Sequence, residues 1–224
     1  MTKKDKTQRW ILYFAGLLIL AMGLTLNTKA GLGVSPIISV AYATSQITGY
    51  NFGNTTLAVY ILFVIIEMIL HTIRLGKSAK RALLMDFLQI PLSIVFTRFL
   101  NLFSAFIPDI EQGNKSTVAT FLVQLLVLAI ALILTGIGAA LSLDMRIIPN
   151  PGDGIVQAIA DFTHKSVGLI KNCVDVTCVT TTVILSLSVS GRLYGIGIGT
   201  IIAMIAVGRI IALFNYITHL SERY

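Results

Sequence analysis

The sequence predicts an all-α membrane protein: six transmembrane helices arranged as a three-plus-three inverted repeat, with two short re-entrant or interfacial helices. Three observations carry this reading. Apolar residues make up 55% of the 224-residue chain and charged residues 12%, with a mean hydropathy of +0.86, whereas a soluble domain carries about 25% charged residues. The apolar residues gather into six runs, each long enough to cross a bilayer core, which takes about 20 helical residues. Finally, two glycine-rich breaks, G-L-G-V-S-P at Gly31–Pro36 and P-N-P-G-D-G at Pro149–Gly154, each follow a long apolar run.

The first run covers roughly residues 10–28, behind Lys3, Lys4, Lys6 and Arg9. A cleaved signal peptide starts in a similar way, but no A-x-A-like site follows and five more runs do, so this run is expected to stay as a span. Segment 34–49, after the first break, is too short to cross. The second run, about 55–73, leads into Arg74, Lys77, Lys80 and Arg81. The third, about 82–106, contains Pro91, which is expected to kink it. Pro108–Ser116 is an acidic loop with Asp109 and Glu111. The fourth run is about 117–143, and the second break leads into a short segment, 153–168, with Asp161, His164 and Lys165.

The fifth run, about 172–190, holds Cys173 and Cys178. Five residues apart on a helix, they point away from each other and read as packing residues rather than a disulfide. The sixth, about 194–217, opens with Gly195, Gly197 and Gly199. With Ala203 they predict a small-residue face for helix contact; the resemblance of Y-G-I-G-I-G to a phosphate loop is superficial.

The net charge of +7 comes from short basic flanks of the spans. Nucleic-acid binding needs a continuous basic face with polar or aromatic readers, so no nucleic-acid partner is expected. With the N-terminus inside, Arg74–Arg81, Arg146, Lys165, Lys171 and Arg223 also fall inside, leaving Lys29, Lys115 and Arg192 outside. Six spans with both termini cytoplasmic satisfy the positive-inside rule.

The duplication rests on two registers. Laying Gly33 on Gly152 puts Thr44 on Thr163 and Gly49 on Gly168. The third and sixth runs close on Arg98-x-x-x-Leu102-Phe103 and Arg209-x-x-x-Leu213-Phe214. The halves are about 10–106 and 117–217 of a single transmembrane domain spanning 1–224. Three spans per half make the second half start on the opposite side of the membrane, so the repeat is inverted, as in many secondary transporters.

An arginine inside a span is costly and usually faces a bundle interior or a wet cavity. Arg98 and Arg209 are therefore read as facing the breaks and helping to hold a polar or anionic group; the competing reading is snorkelling to the interface. Ser35 and Asp153 are expected as helix caps, with Pro36 in a first turn. A helix N-terminus would add a positive dipole end. The expected binding residues are Gly31, Gly33, Ser35, Arg98, Gly152, Asp153, Gly154 and Arg209. Glu67, deep in the second run, is a candidate proton site. Asp175 lies at about the depth of Arg209, where a pair would stabilise both charges. Asp86 and Asp144 are expected to be solvated near span ends. His71, His164 and His219 show no ligand spacing, and no serine has a nucleophile-elbow context, so neither an enzyme, a metal site nor a cofactor is expected.

G-L-G-V-S-P, the basic loop before L-L-M-D-F-L-Q-I-P-L-S, and N-P-G-D-G-I-V-Q-A-I-A together resemble the YczE/YitT-like bacterial membrane proteins over nearly the whole chain. The chain stops just after its sixth run, similar to the short YczE type without a soluble C-terminal domain. The resemblance implies a multi-pass protein of the bacterial plasma membrane and supplies no binding residues. The expected activity is binding and moving a small polar or anionic solute near the midplane. The alternatives are a substrate-capture subunit of a multicomponent importer and a non-transporting scaffold. The expected partners are the lipid bilayer and a small solute, with a second copy or a partner membrane subunit left open.

Overall fold

The structure is a computed structural model that describes residues 3–110 and 118–218, with side chains from Thr7 onward. Glu111 and Lys115 of the acidic loop, His219 and Arg223 lie outside the described residues. In chain order the helices are α1 (Lys3–Lys29), α2 (Pro36–Thr48), α3 (Phe52–Leu75), a 3-10 turn (Gly76–Ser78), α4 (Lys80–Phe106), α5 (Val118–Asp144), α6 (Pro151–Thr163), α7 (Val167–Ser190) and α8 (Ile198–Thr218). Six of them, α1, α3, α4, α5, α7 and α8, are long and apolar enough to cross a membrane. They coincide with the six runs.

The helix lengths repeat. α2 and α6 have 13 residues each, and α3 and α7 have 24. Three pairs close 115 residues apart, at 29 and 144, 48 and 163, and 75 and 190, and α2/α6 and α3/α7 also start 115 apart; α8 starts 118 residues after α4, at 198 against 80. The short helices also close alike, with Gly49 (φ 74°) and His164 (φ 55°) in the left-handed conformation.

α1 and α5 form the central seam, and glycines let their backbones meet. A Cβ on Gly16 would lie 2.8 Å from Leu141 Cβ, one on Gly23 would lie 2.5 Å from the Thr135 nitrogen, and Gly138 abuts the backbone of Leu20. Partner numbers fall along α5 as they rise along α1, so the two helices are antiparallel. Small residues suit such a seam because in lipid the packing itself, not water exclusion, holds helices together. Around it, Leu17, Leu20 and Ala21 of α1 pack with Ile38 of α2, Tyr60 of α3, and Phe96 and Leu100 of α4.

The short helices cross between halves. α2 lies on α7, where the Ser39 and Thr182 hydroxyls are 2.7 Å apart. α6 lies on α3, where Gly154 abuts the Glu67 carboxyl. Residues 39 and 154, and 67 and 182, are counterparts in the 115-residue register.

Several boundaries differ from the sequence expectation. α6 begins at Pro151, two residues before the expected 153, because Asn150 is the cap: its side chain accepts from the Gly152 N–H at 3.1 Å. Asp153 sits inside the first turn instead. Ser35 occupies the cap position of α2 but makes no side-chain capping bond. α7 opens at Val167, where the Ser166 hydroxyl accepts from the Leu169 N–H. Gly195 and Gly197 precede α8 rather than opening it, and pack on the first break: Val34 N–H donates to Gly195 O at 2.8 Å, and Gly199 N–H to Leu32 O at 2.7 Å. Gly195, at φ 70°, presses on the Tyr42 ring. Pro91 lies inside the unbroken span of α4.

Candidate functional site

The two breaks meet at one cavity of about 60 Å³, enough for a few waters or a small ion. Ser35 and Ile37 line it from the start of α2, and Asn150, Gly152 and Asp153 from the start of α6. Tyr60 of α3, Thr135 of α5 and Lys171 of α7 complete its polar wall, with Leu20, Leu24, Val207 and Ile211 on the apolar side.

Local bonds set this geometry. The buried Asn27 side chain accepts the Ser35 N–H at 2.7 Å, turning the chain off α1 into α2. Arg9 donates to the Met145 carbonyl and Tyr13 to the Ile148 carbonyl at 2.8 Å, which anchors the segment leading to the second break. The Asn150 side chain pairs with the Tyr60 hydroxyl as well as capping α6. A Cβ on Gly152 would stand 3.1 Å from Ile37, so glycine there keeps the space between the helix starts open.

The site's charges sit on the α6–α7 side. Lys171 Nζ donates to Asp175 Oδ2 at 3.2 Å, one turn along α7, and Asp175 is buried. Asp153 is partly buried, and desolvation raises its carboxyl above the usual range. The nearby Lys171 cation opposes that shift and the Asp175 carboxylate reinforces it.

A polar column runs along α3 away from the cavity. Glu67 accepts from Gln89 Nε2 at 2.7 Å. One turn further, His71 Nδ1 meets Asp86 Oδ2 at 2.7 Å, and beyond it Arg74 donates to Asp161 of α6 at 2.7 Å. Asp86 and Asp144 are both buried, against the expectation that they are solvated. His71 and Asn215 each pair with one oxygen of these carboxyls, at 2.7 and 3.1 Å.

A family model described as a family of unknown function, DUF6198, matches residues 7–216. The chain belongs to this family. It is similar to "Uncharacterized membrane protein YczE" of Bacillus subtilis (strain 168), 24% identical over 210 residues, covering 93% of this chain and 86% of that protein. It is also similar to "Uncharacterized protein YyaS" of the same organism, 24% identical over 166 residues, covering 71% and 72%. No solved structure matches.

In this DUF6198 chain the expected binding residues divide among different surroundings. Ser35, Gly152 and Asp153 line the common cavity, and Gly154 lies beside it against Glu67. Gly31 and Gly33 line a second hollow of about 340 Å³ with Gly195, Ile196 and Gly197. Val34 lines that hollow and Ser35 the cavity, so one step of chain separates the two. Arg98 is exposed and donates to Asn54 Oδ1 at 2.7 Å; Arg209 is exposed on α8. The cation at the cavity is Lys171, and it is also the partner of Asp175. Sequence reasoning missed Lys171, Tyr60, Asn150 and Gln89. The Lys171/Asp175 spacing and the Asn150-Pro151 start signal were the available cues.

Proposed function

We propose that this DUF6198 member is a multi-pass protein of the bacterial plasma membrane that carries a small polar solute across it, and is not an enzyme. The observation that carries the proposal is the cavity built from both breaks, with Ser35 on one side and Asn150, Gly152 and Asp153 on the other. The 115-residue offset shared by α1/α5, α2/α6 and α3/α7 and the antiparallel α1–α5 seam support a three-plus-three inverted repeat. In that arrangement solute sites lie near the midplane, where the repeats meet. α2 and α6 are then re-entrant, because broken backbone at membrane depth belongs where protein or water can satisfy it. The cation asymmetry supports a cytoplasmic position for both termini.

Lys171 and the α2 start, which has no capping side chain, suit an anionic group on the solute. Asp153 and the Tyr60 and Asn150 side chains suit a donor or cationic group. A small solute bearing both kinds of group fits this wall better than a simple anion. Purified protein screened by thermal shift against small metabolites should give hits whose shift is lost in Lys171→Gln and Asp153→Asn. Those hits should then enter liposomes holding the protein alone. Binding without uptake would make the chain a capture subunit. Neither binding nor uptake would leave a scaffold and overturn the proposal.

A further inference from the structure

The column along α3 contains an acceptor surplus that a bound proton would remove. Glu67 is 1% exposed and Gln89 is fully buried. Their one hydrogen bond runs from Gln89 Nε2 to Glu67 Oε2, while Glu67 Oε1 and Gln89 Oε1 both lack a partner among the described residues. A neutral, fully paired site would have no reason to hold two bare oxygens so deep, since each unmade bond at a buried group is penalised. On the other face of the carboxyl stands Gly154, where a Cβ would be 2.7–3.0 Å from the carboxyl atoms. The cradle therefore takes a carboxyl and nothing bulkier. The charged groups facing Glu67 are acidic: Asp86 from α4 and Asp153 from α6. No lysine or arginine bonds it among the described residues.

We infer that Glu67 binds a transported or exchangeable proton, which reaches it past the His71–Asp86 pair. The proton adds to Glu67 Oε1, turning a carboxylate into a neutral carboxyl whose O–H becomes a donor; no other bond changes and no co-reactant is needed. His71 suits the entry point because it lies one turn along α3 from Glu67 and its side chain is 18% exposed, against 4% for Asp86. An imidazole held by a carboxylate can take up a proton on one nitrogen and release it from the other. The position deepens the transport reading, because Gly154 ties the carboxyl to the same helix start that lines the solute cavity. The proton's role in transport rests on that reading; its binding does not.

The test is isotope-edited infrared spectroscopy of the purified chain with ¹³C-labelled glutamate. The sequence has three glutamates, Glu67, Glu111 and Glu222, so a label-shifted carboxylic acid C=O band at neutral pH isolates a protonated glutamate without any substitution. The band should vanish on raising the pH and be absent in Glu67→Gln. His71→Gln should keep it but slow its deuterium shift several-fold. No labelled acid band in the unsubstituted protein would overturn the inference, as would a band that survives in Glu67→Gln. A carboxylate that responds to sodium at constant pH would overturn it in favour of a metal cation. An unchanged deuterium rate in His71→Gln would overturn the route. No solute enters the measurement, so its failure is distinct from a failure of the solute screen.

Discussion

Gly154→Ala probes the contact that joins the second break to Glu67. The new methyl would lie 2.7 and 2.8 Å from the two carboxylate oxygens and 3.0 Å from the carboxyl carbon, where ordinary contact is 3.4–4 Å. The carboxyl has little room to yield: it is buried, and Gln89 holds it at 2.7 Å. Either α6 lifts from α3, an overpacking cost of about 1–3 kcal/mol, or Glu67 swings off Gln89 and leaves buried polar groups unpaired, at about 1–3 kcal/mol. Alanine's better helix propensity returns up to about 1 kcal/mol. The net expectation is a loss of about 2 kcal/mol, or roughly 4–8 °C for a chain of this size. Gly168→Ala is the control, because nothing lies within 4 Å of its added Cβ and only the propensity gain remains. Cys178 is buried and Cys173 exposed, so a thiol-reactive dye on a Cys173→Ser background reports unfolding in detergent. A Gly154→Ala protein as stable as the Gly168→Ala control would refute the close packing and the Glu67 cradle with it.

Three further outcomes use the same assay. Gly23→Ala meets backbone, with the added Cβ 2.5 Å from Thr135 N and 2.9 Å from Ala131 O, so the α1–α5 seam must part, at about 3 kcal/mol; an unchanged melting temperature would contradict the seam. Asp153→Asn tests the raised carboxyl. The folded state holds that proton more tightly than the unfolded chain, so its contribution is full in acid and lost as pH rises through the folded value. The asparagine variant should therefore match the parent in acid and melt higher at neutral and alkaline pH, and a higher melting point confined to acid would reverse the assignment. A double-mutant cycle on Ser39→Ala and Thr182→Val should return a coupling of about 1 kcal/mol for the α2–α7 bond, and additive losses would deny it.

The six spans were legible because hydropathy alone decides them. The short helices were legible as interruptions but not in register. Laying Gly33 on Gly152 aligns the two breaks by composition, and composition is a poor guide where glycines serve different ends. Gly33, at φ 110°, packs against Gly197 and Thr200, whereas Gly152 sits in the first turn of a helix and spaces it from Ile37. The feature the halves share is a cap residue followed by proline, Ser35-Pro36 and Asn150-Pro151, since proline at the first helical position fixes where each helix starts. Aligning on proline would have yielded the 115-residue offset directly.

The arginines show why charge in a span is an ambiguous signal. The cost of burying Arg98 or Arg209 favours a wet cavity only if the side chain cannot reach polar surroundings by another route. Arg98 reaches the Asn54 side chain in the first turn of α3 and stays exposed. A long apolar stem lets a guanidinium do this from well inside a helix. Lys171 looked like an ordinary flank of the fifth run because that run was started at residue 172. Once Ser166 opens α7 at Val167, Lys171 moves into the second turn, one turn below Asp175 and beside Asp153. The cap thus decides which cation belongs to the cavity. A helix boundary error of five residues was enough to hide the only lysine or arginine among the described residues of its lining.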